Sequence, residues 1–158
     1  MRRSLRAGFN FGLTSGVITT LGLMVGLNSS TNSKLVVIGG ILIIAIADAL
    51  SDSLGMHCAA ESQNRIRTRE LWEVTYATFV YKFLFSAIFI FPVLFFELSK
   101  AVLMCIFIGL YLIFVNGLVL ARAQKISPIK VICEHIILTV IVIITTHFIG
   151  VGVSTVIV

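Results

Sequence analysis

Apolar residues run through this chain in long, nearly unbroken stretches, and the polar positions gather in short segments between them. Windows of about 20 apolar residues, the length a helix needs to cross a bilayer, can be placed five times. They fall at residues 8–27, 35–57, 74–96, 101–121 and 132–156. The polar joins are NSSTNSK, ESQNRIRTRE, ELSK and ARAQKISPIK. This pattern predicts an all-α membrane protein with five transmembrane helices, forming a single transmembrane domain over residues 1–158.

Charge adds an orientation. Arg2, Arg3 and Arg6 precede the first span, Arg65, Arg67 and Arg69 follow the second, and Arg122, Lys125 and Lys130 lie between the fourth and fifth. Only Lys34 and Lys100 sit on the other side. Short loops rich in Lys and Arg stay in the cytoplasm, so the amino terminus is expected there and the carboxyl terminus outside or in a lumen. The opening MRRSLR has the charge order of a signal peptide, but the apolar run after it is long, Gly-rich and without a small-residue cleavage site. It is therefore read as a retained helix.

Composition agrees: 58% of residues are hydrophobic and 12% charged, with a mean hydropathy of +1.08, outside the range of soluble domains. The net charge of +5 sits almost entirely in the expected cytoplasmic loops, where topology and anionic lipid account for it, so no nucleic-acid partner is expected. Cys58, Cys105 and Cys133 show no metal-ligand spacing and are expected to be reduced packing residues.

Against this apolar background the second span carries two carboxylates, Asp48 and Asp52, in the segment IADALSDSLGMHCAAES. A charge at the bilayer centre costs about 3 kcal/mol on insertion scales, so it must face a partner, water or an ion. With 3.6 residues per turn, Asp48, Asp52 and Met56 form one drifting stripe whose rungs are about 6 Å apart. Oxygen ligands with one thioether suit a divalent transition metal. His57 and Glu61 continue the polar character toward the cytoplasmic mouth. Lys82 is the one Lys well inside a span, and an intramembrane ion pair with either aspartate is the structural alternative.

Gly8, Gly12 and Gly16 recur every four residues in the first span, as do Gly22 and Gly26. This small-residue pattern lets helices approach closely in lipid, either another helix of the chain or a second copy; Gly8, Gly12 and Gly16 are expected to serve dimer packing. Asn10, Thr14 and Ser15 lie nearby and could border a hydrated path, with Asn10 a candidate metal ligand. Pro92 predicts a kink near the far end of the third span. His135 and His147 are expected to be hydrogen-bonded within the bundle. No nucleophile with its base and no phosphate-cradling loop is found, so enzyme activity is not expected.

Four segments together resemble the vacuolar iron transporter family: GFNFGLTSG, VVIGGILIIAIADALSDSLGMHCAAESQ, FLFSAIFIFPVLFF and GLVLARAQKISP, in the right order along the chain. The resemblance implies proton-coupled movement of ferrous iron and related divalent metals out of the cytoplasm. It also implies a homodimer whose path runs between the first two helices of each subunit. The chain departs from the family at three places. The acid of the first-helix motif stands as Phe11, preceded by Asn10; Ile44 and Asp52 fall near the family's Glu and Met positions. The long glutamate-rich domain between the second and third helices is reduced to about sixteen residues holding Glu61, Glu70 and Glu73.

The resulting expectation is a multi-pass membrane protein, a homodimer, exporting Fe2+ or Mn2+ from the cytoplasm in exchange for protons. Asp48, Asp52, Met56, Asn10 and Glu61 would bind the metal, and Asp48, Asp52 and Lys82 would couple protons. No permanently bound cofactor is expected, the metal being cargo. The absence of a long targeting segment suits a prokaryotic plasma membrane, and a vacuolar membrane would carry the same topology. The rival expectation is a non-transporting scaffold or accessory subunit, in which Lys82 neutralises an aspartate and Phe11 plugs the former path.

Overall fold

The computed structural model describes residues 2–63 and 67–157; Arg65 of the second basic loop lies outside them. All regular structure among the described residues is helical: α1 (Arg3–Thr31), α2 (Lys34–Glu61), α3 (Thr68–Ala87), α4 (Ile90–Phe95), α5 (Leu98–Gln124) and α6 (Pro128–Ile157). Together α3 and α4 make one span, giving five helices long and apolar enough to cross a membrane. The chain is an integral, multi-pass membrane protein in its architecture.

The helices outrun the apolar windows at nearly every end, because hydropathy reports bilayer thickness rather than helix length. Polar residues extend α1 through Thr31, where Ser30 and Thr31 hydroxyls donate back to the Leu27 carbonyl. Only Asn32 and Ser33 then separate α1 from α2. Asn32 takes the left-handed conformation (φ 46°) and donates its N–H to the Asn28 carbonyl. The Ser33 side chain accepts from the Val36 N–H to start α2. Lys125 closes α5 in the same left-handed way (φ 58°), and Pro128 opens α6, where its missing N–H costs nothing.

The kink predicted at Pro92 is a break. Pro92 has no N–H to give the Ile88 carbonyl, and helical geometry lapses at Ile88 and Phe89, four and three residues upstream. Phe89 remains fully buried, and its carbonyl accepts from the Cys105 thiol of α5.

At the centre stands α1, packed against α2, α3, α5 and α6. Val17, Leu21 and Met24 of α1 meet Val37 and Ile41 of α2, Phe89, and Cys105 and Ile113 of α5 in one buried cluster. In lipid the hydrophobic effect does not drive such helices together, so shape and close approach must. Gly8, Gly12 and Gly16 provide that approach. A Cβ at Gly8 would lie 2.7 Å from Ala77 Cβ, one at Gly12 2.8 Å from the Lys82 nitrogen, and one at Gly16 3.0 Å from the Lys82 carbonyl oxygen.

This corrects the expected dimer-packing role of Gly8, Gly12 and Gly16. Their face is buried by α3 of the same chain, leaving no groove for a second copy. The pattern encoded a close approach without naming the partner helix.

Short connections make successive spans antiparallel. Arg2, Arg3, Arg6, Arg67, Arg69, Arg122, Lys125 and Lys130 therefore gather at one end of the bundle, and Lys34 and Lys100 at the other. Lys34 Nζ donates to the carbonyls of Leu94 (2.9 Å) and Phe96 (3.1 Å), and Lys100 pairs with Glu97 at 2.8 Å.

Candidate functional site

Where the Gly12 and Gly16 contacts clamp the Lys82 backbone to α1, the Lys82 side chain crosses to α2. It is fully buried. Its ammonium ion-pairs with Asp52 Oδ2 and lies 2.5 Å from Asp48 Oδ2. It also donates to Ser15 Oγ at 2.9 Å, and that hydroxyl donates in turn to Asp52 Oδ2 at 2.7 Å. Three helices thus supply four side chains to one cluster: Ser15 from α1, Asp48 and Asp52 from α2, and Lys82 from α3.

The two acids are held differently. Asp52 receives hydrogen bonds from both Lys82 and Ser15. Asp48 Oδ2, although within ion-pair distance of the ammonium, lies out of line for a hydrogen bond and has no hydrogen-bond partner. Two carboxylates facing one ammonium leave the ionised cluster one negative charge in excess, in a setting where charge is poorly screened. Their side chains remain 28% and 25% exposed at the surface of the bundle, while Lys82 stays enclosed.

Two openings bracket the cluster. A groove of about 610 Å³ between α1 and α2 is lined by Leu23, Leu27, Gly40, Ile44 and other apolar residues, with Asp48 its one charged residue. At the basic end a cavity of about 900 Å³ is lined by Met56 and Ala60 of α2 together with the starts of α1 and α3. Along α2 the order is therefore groove at Asp48, ion pair at Asp52, cavity at Met56, in steps of about 6 Å.

The structure brings together Asp48, Asp52 and Lys82 of the expected site and leaves its other members apart. Met56 packs with Ala60, Leu71 and Val74. Asn10 is half-buried on α1. Glu61 is exposed at the last residue of α2, nine residues and about 13 Å of helix rise beyond Asp52. Among the described residues no three His, Cys, Asp or Glu side chains form a metal-holding group, and the cation between the two aspartates is the Lys82 ammonium. Of the five expected metal ligands the structure brings only Asp48 and Asp52 together; Met56 shares their helical stripe without joining them, and Asn10 and Glu61 lie elsewhere.

Phe11 is 38% exposed on the outside of α1, so it plugs no path within the subunit; that part of the scaffold expectation is also corrected. His135 and His147 are hydrogen-bonded within the bundle, as expected, and so is His57, which the sequence placed at the mouth. His57 Nδ1 lies 2.9 Å from Thr75 Oγ1, His135 Nδ1 2.8 Å from the Val131 carbonyl, and His147 Nδ1 2.8 Å from Ser29 Oγ. Glu73, placed in the second loop by the sequence, is on α3 and joins Arg2, Ser4 and Arg69. Ser15 is the member whose bridging role sequence reasoning missed; the available signal was a hydroxyl in an apolar span beside the glycine stripe. Compared with known proteins, the chain matches no protein-family model and no curated protein.

Proposed function

We propose that the protein is a proton-coupled transporter of a divalent metal such as Fe2+ or Mn2+, with Asp48 and Asp52 as the ion site and Lys82 as its resident cation. One observation carries this reading: the acid pair lies on α2 between an opening that reaches Asp48 and another that reaches Met56. A metal entering between the carboxylates takes the place of the ammonium, and Lys82 gives up a proton as its charge is displaced. When the metal leaves, a proton returns and Lys82 closes the site again. Competition between metal and proton for one position is sufficient to couple their fluxes. The likeness of four segments to vacuolar iron transporters supports the same reading, and the basic end, taken as cytoplasmic, gives export as the direction.

The working unit in this reading is a homodimer joined through α2. With the α1 glycines used within the subunit, α2 still presents Gly39, Ala47, Ser51 and Gly55 outward, beside the partly exposed aspartates. A second α2 covers carboxylates that would otherwise meet lipid. The host membrane is a prokaryotic plasma membrane or a vacuolar one.

A second reading is favoured by the complete burial of Lys82: a scaffold or accessory subunit in which the ion pair only locks α1, α2 and α3 together. Metal flux into proteoliposomes under an imposed pH gradient separates the two. Gradient-dependent uptake of Fe2+, Mn2+, Co2+ or Zn2+, abolished by Asp48→Asn or Asp52→Asn, is the expected result. A folded protein that moves none of these ions would sink the transporter reading and leave the scaffold.

A further inference from the structure

The cavity at the basic end has a chemistry that cation transport does not require. Arg2, Arg3, Arg67 and Arg69 line it, and Glu70 is the only carboxylate among its lining residues. Glu73, on the adjoining turn of α3, already engages Arg2 and Arg69. Arg3 and Arg67 have no side-chain ion pair or hydrogen bond among the described residues, so two guanidinium forks are available to a ligand. The starts of α1 and α3 border the same cavity, and neither N-cap residue, Arg2 or Arg67, provides a side-chain cap to the first-turn N–H groups. Uncapped helix starts attract anions, and arginine forks match the oxygen geometry of phosphate.

We propose that this cavity is a binding site for a phosphate-bearing anion, held by Arg3 and Arg67 with the starts of α1 and α3 behind them. Ser4 and Gln63 add polar groups to its lining, whereas Ala7, Met56, Ala60 and Val74 add apolar surface. At about 900 Å³ it admits more than a bare phosphate ion. A phospholipid headgroup with the first part of its chains uses both kinds of lining, and basic pockets between membrane helices are known to hold such headgroups. A free phosphate would use the arginines alone.

The test is binding to the purified full-length protein in neutral detergent, with two probes: inorganic phosphate and dioctanoyl phosphatidic acid, with dioctanoylglycerol as the phosphate-free control. Native mass spectrometry and equilibrium dialysis give the affinities. Arg3→Gln combined with Arg67→Gln should weaken binding by about tenfold or more, the size expected on removing charge-assisted hydrogen bonds. Arg122→Gln combined with Lys130→Gln removes as much charge from the same end of the protein outside the cavity and should leave affinity unchanged. Binding of the lipid alone assigns the site to a headgroup, and binding of both probes or of phosphate alone assigns it to the phosphate group as such. Binding of neither, binding equal to that of the phosphate-free control, or equal loss in the two double variants would overturn the proposal. Both pairs of substituted side chains are exposed, so the fold tolerates either change.

Discussion

The backbone nitrogen of Lys82 lies 2.8 Å from the position a Cβ on Gly12 would occupy, so the most buried charge in the described protein is placed by a residue with no side chain. The contact is with α3 backbone, which cannot swing aside as a flexible side chain would. Gly12→Val should therefore separate α1 from α3 and move Lys82 away from its acids, costing about 2 kcal/mol or more through overpacking. Thermal unfolding in detergent checks this, and a midpoint equal to wild type would show that the two helices are not in such close contact. Gly39, with nothing within 4 Å of its Cβ position, is the matched control: Gly39→Val should leave the monomer's stability nearly unchanged.

Removing the cation should do more harm than removing the whole cluster. Lys82→Met leaves two carboxylates facing each other without their ammonium. Loss of one partner from a buried pair costs about 3 to 5 kcal/mol, reduced here toward the lower value because the acids are a quarter exposed. Adding Asp48→Asn and Asp52→Asn to Lys82→Met should recover most of that loss, since neutral amides no longer repel. Chemical denaturation of the single and triple variants measures the difference. If the triple variant is less stable than the single one, the ion pair is not what Lys82 contributes to stability.

Five spans and the acid pair were legible in the sequence because both are written in local terms: a run of apolar residues, or a charge where hydrocarbon requires none. The Lys82 partner was legible by elimination, as the one Lys within a span. What could not be read was which surface meets which. Four-residue glycine spacing announces a close helix contact equally well for α3 and for a second subunit, and only the assembled bundle gives the contact to α3. The ladder failed similarly at Met56, since residues on one helical stripe share a face while the elements covering that face change along its length. The break at Ile88 and Phe89 was half legible: Pro92 has no N–H for the Ile88 carbonyl, which accepts from Phe91 instead, but whether a helix bends or stops there depends on packing around Phe89.

The two aspartates are predicted to respond unequally. Asp52 takes hydrogen bonds from Lys82 and Ser15, whereas Asp48 takes none. Asp52→Asn should therefore destabilise the protein more than Asp48→Asn, and Ser15→Ala should resemble a mild Asp52 change, costing about 1 kcal/mol for its lost hydrogen bonds. Thermal shifts of the three variants give the order Asp52→Asn, Ser15→Ala, Asp48→Asn. A larger effect at Asp48 would mean that the acid bordering the groove is the main anchor of Lys82.

The proposed α2 dimer makes a chemical prediction that the α1 face does not share. In a background in which Cys58, Cys105 and Cys133 are replaced by serine or alanine, a cysteine at Ser51 on one subunit should face its copy across the two-fold axis. A disulfide forms when the two Cα atoms come within about 7 Å, a distance that facing small residues on crossed helices permit. Oxidation in native membranes should therefore convert the Ser51→Cys protein to a covalent dimer, whereas Leu103→Cys, exposed on α5, should stay monomeric under the same treatment. Cross-linking at Leu103 without cross-linking at Ser51 would move the interface to α5 and leave Asp48 and Asp52 facing lipid. In that case water reaching down from the basic-end cavity, rather than a second subunit, must solvate the uncompensated charge, and the ion site would belong to each monomer alone.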